Sequence, residues 1–147
     1  MDPKLRARMV LHGVIVIGLG LVAGIPYASA IASGEAESVR AWRMAHLEGV
    51  LNGLVAIALA AAGGVLVLSQ RQQRVLAFSV VGMAYGNVVA SILGAATGNR
   101  GLAAGGSLAN TAVYVMFVAA VVGIFVALAL AGIGARRAAR SGGGPTV

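Results

Sequence analysis

The chain has 147 residues, 59% of them hydrophobic and only 10% charged, with a formal net charge of +7 and no cysteine. Soluble domains carry about 25% charged residues, so this chain is too poor in charge to cover a water-facing surface, and its length makes one domain the default. The absence of thiols excludes disulfides, iron–sulfur clusters and cysteine catalysis, two histidines and four acids do not suit an all-protein zinc or di-iron site, and the basic residues form short clusters between apolar runs instead of one nucleic-acid patch.

A membrane span takes roughly 20 apolar residues to cross about 30 Å of hydrocarbon, and four stretches qualify. The first runs from about Met9 to Ala30, behind Lys4, Arg6 and Arg8. Basic residues, an apolar run and Ala28-Ser29-Ala30 also resemble a cleavable signal peptide, but the run is long for one, and a retained span is expected. Ile31 to Ala45 reads as the longest loop, with Gly34, Glu35, Glu37 and the single tryptophan, Trp42, as an interfacial anchor. The second span runs from about His46 to Leu68, the third from about Val75 to Ala96 and the fourth from about Leu108 to Ile133. The Gly-rich end reads as disordered, which gives one transmembrane domain over residues 1–140 and a tail over 141–147. Lipid offers no partner to backbone N–H and C=O groups, so the spans must be helices, and the period-two alternation of a barrel is absent.

Orientation follows from Lys and Arg. Lys4, Arg6, Arg8, Arg71, Arg74, Arg136, Arg137 and Arg140 fall on one side of the four spans, and Arg40, Arg43 and Arg100 on the other. The positive-inside rule puts both termini in the cytoplasm. The expected fold is an all-α membrane protein, a four-transmembrane-helix bundle in the inner (cytoplasmic) cell membrane.

Glycines recur four apart, at Gly20 and Gly24, Gly49 and Gly53, Gly82 and Gly86, and Gly94 and Gly98. Such pairs let helix backbones approach closely. Gly49 and Gly53 also share a helix face with His46, and a bare face beside an imidazole could accept a flat ligand. Four short helices have little interior, so spare flat faces suggest a homo-oligomer.

Polar groups inside a membrane are costly and mark functional candidates. The second span has His46, Glu48 and Asn52; the third has Tyr85, Asn87 and Ser91; the fourth begins with Asn110, Thr111 and Tyr114; His12 lies near the start of the first. His46 suits a metal ligand, a proton carrier or an interhelical hydrogen bonder, and the residues alone leave all three open. His12 is expected about 30 Å from His46, at the opposite membrane surface, so the two do not clamp one iron. Glu48 points about 160° away from His46 on an ideal helix and could be hydrated or paired with Arg43 or Arg100. Asn87 and Ser91 share a stripe that could hold an oxygen- or nitrogen-bearing substrate or join helices.

The segment Trp42-Arg43-Met44-Ala45-His46-Leu47-Glu48-Gly49-Val50-Leu51-Asn52-Gly53 resembles two related groups of small four-span membrane proteins, the styrene oxide isomerases and the hydroxylaminobenzene mutases. His12-Gly13, and Asn87 preceded by Tyr85, are similar to both. Asn99-Arg100-Gly101-Leu102 looks more like the epoxide isomerases; Leu47-Glu48-Gly49 and Ala104-Gly105-Gly106 look more like the mutases. The resemblance covers about Arg8 to Arg136.

The resemblance implies haem b held by His46 as the sole protein ligand, with the other face of the iron open to a small aromatic substrate. It implies a trimer with haem at the protomer interface; Gly49 and Gly53, on the face of His46, would lie beside it, and Arg40, Arg43 and Arg100, the basic residues on that side, would suit its propionates. An asparagine and a tyrosine hold the substrate in the epoxide isomerases. The asparagine corresponds to Asn52 and the tyrosine to Ser91, a departure that leaves the substrate open; Tyr85 and Asn87 complete the candidate catalytic set. The implied activity is a redox-neutral rearrangement, of an aryl hydroxylamine to an aminophenol or of an aryl epoxide such as styrene oxide to an aldehyde. A non-catalytic haem-binding or electron-transfer subunit, and a cofactor-free transporter or structural protein, are the competing readings.

Overall fold

A computed structural model describes residues 1–141, and its regular structure is four helices: α1 (Pro3–Ser33), α2 (Ala36–Ala62), α3 (Gln70–Thr97) and α4 (Leu108–Ser141). Each contains a window long and apolar enough to cross a membrane. At 27 to 34 residues the helices are about 40–50 Å long, so they project beyond the hydrocarbon. The disordered tail expected over 141–147 lies outside the described residues, apart from Ser141, which ends α4.

Local signals set the helix ends. The Asp2 carboxylate accepts from the Lys4 N–H at 2.8 Å, with Pro3 at the first helical position. Gly34 closes α1 at φ 74°, in the left-handed conformation that favours glycine. α2 begins two residues later, with Glu37 in its first turn. The expected loop from Ile31 to Ala45 is therefore mostly helix: Arg40, Trp42 and Arg43 lie on α2. The hydropathy pattern marked only the part of α2 that lipid can cover. A Ser69–Gln72 capping box starts α3. The longest connection joins α3 to α4, and Asn110 ties it down by accepting from the Gly101 N–H at 3.0 Å and donating to the Ala103 and Gly105 carbonyls at 2.9 Å each. Asn110 is thus a loop fastener.

α1 packs chiefly on α2 and α3 on α4, while α3 also contacts α2 and α1. α3 is the central helix and buries nine residues, among them Leu76, Val80 and Val88. α4 is peripheral and buries only Val113, Ala120, Ala127 and Gly134, each seven residues from the next. On α1 the buried Met9, Val16, Ala23 and Ala30 keep the same interval, with Gly13 and Gly20 between them. That period is the seam of nearly aligned helices.

The two ends of the bundle differ. At one end Arg6 reaches the last turn of α2, its Nε donating to the Ala60 carbonyl at 2.8 Å, where a cation meets the negative end of the helix dipole. Arg137 of α4 donates to Gln72 of α3 at 3.0 Å at the same end. At the other end Arg100 and Arg40 both approach Glu37 at 3.8 Å. The first end holds eight basic residues and one acid; the second holds three of each.

Candidate functional site

The α1–α2 crossing is built on glycine. A Cβ on Gly20 would stand 2.7 Å from the Val50 nitrogen, one on Gly53 would stand 2.6 Å from the Gly13 carbonyl oxygen, and one on Gly49 would run into the Gly20 backbone. All four glycines are buried. Gly49 and Gly53 are therefore covered by α1, and within the protomer they present no bare face to a flat ligand.

This close approach sets the environment of His46. Its Nδ1 lies 2.9 Å from the Gly20 carbonyl oxygen. A carbonyl can only accept, so Nδ1 carries the hydrogen and Nε2 keeps its lone pair. The ring stacks on Tyr27 with centroids 6.2 Å apart and planes inclined by 21°. Gly24 completes the wall, since a Cβ there would lie 3.2 Å from Nδ1. Histidines that bind metals characteristically donate the other ring N–H to a carbonyl or carboxylate, which fixes the tautomer and ring orientation. His46 has that arrangement on a half-buried ring, so its donor chemistry fits a metal ligand acting through Nε2.

His46 lies beside Gly20 and Gly24, eight to twelve residues beyond His12 along α1, a rise of about 15 Å. The two histidines are thus closer in depth than the expected 30 Å, because α2 starts ten residues before His46 and carries it into the bundle. His12 is separately engaged. Its Nδ1 shares a hydrogen bond of 3.1 Å with the Tyr85 hydroxyl, ring edge to ring face.

The remaining candidates fall into separate groups. Asn52 donates to the Glu48 carboxylate one turn earlier on α2; Glu48 is paired with neither Arg43 nor Arg100. The Asn87 amide points to the Met83 sulfur at 3.7 Å. Ser91 is 4% exposed and its hydroxyl has no hydrogen-bond partner. It lines a pocket of about 460 Å³ at the three-acid end, with Arg40, Met44, Asn99, Arg100 and Leu102. His46, Asn52 and Asn87 are not among the residues lining it. Arg40 and Arg100 are partly committed to Glu37, and Arg43 is exposed and outside both ion pairs.

Sequence reasoning missed Gly20, Gly24 and Tyr27 as the setting of His46. Gly24 and Tyr27 share a face of α1 with Gly20, which was the available signal.

The model of a family described as styrene oxide isomerase matches residues 5–136. No curated protein matches the chain.

Proposed function

This chain belongs to the styrene oxide isomerase family, and from that premise we propose that it is a haem b-dependent isomerase of the cell membrane, assembled as a homotrimer, that converts an aryl epoxide to an aldehyde. Family membership makes it an isomerase, and its four spanning helices make it a multi-pass membrane protein; the cofactor, assembly and substrate are the proposal. The observation that carries it is the 2.9 Å contact from His46 Nδ1 to the Gly20 carbonyl, which leaves Nε2 as the free donor atom.

Haem bound at Nε2 would supply a Lewis acid that draws on a substrate oxygen. Substrate and product are isomers, so no electrons enter or leave. In this reading Asn52 holds the substrate oxygen by hydrogen bonding, and the apolar helix faces keep water from the opened ring. Among the described residues Ser91 offers the one buried hydroxyl without a partner. Because His46 and the Ser91 pocket are separate within one chain, a second copy completes the site, with Arg40, Arg43 and Arg100 available to propionates.

A second reading, rearrangement of an aryl hydroxylamine to an aminophenol, is favoured by one feature: residue 91 carries an aliphatic hydroxyl where the epoxide isomerases have a phenol.

The test is detergent-purified protein with a Soret band that turns over styrene oxide without a reductant. His46→Ala should lose the band and the turnover together. An unchanged spectrum with full activity in His46→Ala would remove His46 from the centre. A haem spectrum with no turnover of either substrate would favour an electron-transfer subunit, and protein with no Soret band would favour a transporter.

A further inference from the structure

Glu48 is a carboxylate on the second candidate span that the proposed reaction does not use. It is half-buried, two residues from His46 and on another face of α2. Among the described residues neither salt bridge includes it. Its partner is the Asn52 amide one turn away. The bond gives the carboxylate one hydrogen-bond donor within its own helix.

That bond has a directional consequence. An ionised carboxylate only accepts, so it selects the NH2 side of the Asn52 amide and excludes the flipped rotamer. Nδ2 has two hydrogens. With one committed to Glu48, the other and the carbonyl oxygen are held in fixed directions. Donation to a carboxylate also polarises the amide group.

We propose that Glu48 is the positioning residue of the site: it locks the Asn52 carboxamide in the one orientation that offers its second N–H to the substrate oxygen. The proposal rests on Asn52 being the substrate-holding residue. Glu48 touches neither substrate nor cofactor and acts through hydrogen bonding alone.

The experiment is a double-mutant cycle on full-length, haem-loaded protein in detergent, with kcat and KM for styrene oxide measured separately. Haem content and melting temperature are recorded for each variant. Glu48→Leu removes the acceptor, and kcat should fall about tenfold with KM little changed, as for the loss of orientation of one transition-state donor. Glu48→Gln keeps an acceptor oxygen at the same reach but adds an NH2 donor that admits the flipped Asn52 rotamer, so its kcat should fall between those of the parent and Glu48→Leu. In an Asn52→Ala background Glu48→Leu should cost nothing further. Haem content should stay at the parent level throughout.

Parent-level kcat in Glu48→Leu would overturn the proposal, because the orientation of Asn52 would then not depend on Glu48. So would a full Glu48→Leu loss on top of Asn52→Ala. Full activity in Asn52→Ala alone would instead remove Asn52 from the site and the positioning role with it. If Glu48→Leu does not fold, Glu48→Ala replaces it and the same coupling decides.

Discussion

Gly20 of α1 and Gly49 of α2 meet backbone to backbone, and the same approach brings the Gly20 carbonyl to 2.9 Å from His46 Nδ1. Close packing and the set of the imidazole are therefore one feature: wherever α1 is pushed off α2, His46 loses its acceptor.

Gly49→Ala should accordingly act at a distance. Its Cβ would run into the Gly20 backbone, and overpacking of this kind costs about 1–3 kcal/mol. The melting temperature in detergent should drop and haem content should fall with it. Gly18→Ala is the control: nothing lies within 4 Å of a Cβ there, and removing a helical glycine is worth about 0.5–1 kcal/mol, so stability should hold or rise with the spectrum unchanged.

His12→Ala should leave the Soret band intact. His12 is engaged with Tyr85, on a different level from His46. Losing one hydrogen bond of this sort costs about 1 kcal/mol, so a small fall in melting temperature is expected, matched by Tyr85→Phe. Loss of haem from His12→Ala would make it a second ligand.

Ser91→Tyr should change substrate preference more than haem content. The Ser91 hydroxyl lies unpaired beside a pocket of about 460 Å³, so a phenol there has both space and a purpose. The ratio of epoxide to hydroxylamine turnover should rise, read by product analysis on a two-substrate panel. An unchanged ratio in folded protein would place Ser91 outside the site.

Both termini should report as cytoplasmic. Eight basic residues and one acid share the end of the bundle where α1 begins and α4 finishes, and this asymmetry sets orientation. A C-terminal phosphatase fusion should be inactive and a fluorescent fusion bright; the opposite pair would invert the topology.

The four helices were legible because each carries an apolar run that only a bilayer explains. Their lengths were not. The start of α2, from Ala36 through Ala45, contains Glu37, Arg40, Trp42 and Arg43, and hydropathy reads such a stretch as loop although the helix continues out of the lipid. His46 was legible as a candidate because an imidazole among apolar residues is conspicuous. Its acceptor was not, since a backbone carbonyl has no signature in sequence. The spacing of Gly49 and Gly53 was visible, but whether a glycine face meets a helix or a ligand depends on the neighbour. The Glu48–Asn52 bond could have been anticipated from its i, i+4 spacing; of the two expectations for Glu48, hydration or an arginine partner, the ion pairs leave out the second.

The residues that α4 buries fully are four small or medium ones set seven apart, Val113, Ala120, Ala127 and Gly134. A residue-by-residue tolerance scan of this helix would therefore show a heptad rhythm. Enlarging one of those four side chains would be rejected by the protomer's own fold, as at Gly134, where a Cβ already meets Leu68 and Leu66 at 3.0–3.1 Å. Several intervening positions, Val118, Val122 and Phe125 among them, are exposed and answer to lipid or a neighbouring copy. The fourth helix is thus where this architecture can change its surroundings, such as bilayer thickness, lipid composition or the fit of one subunit to the next, while leaving the His46 environment as it is.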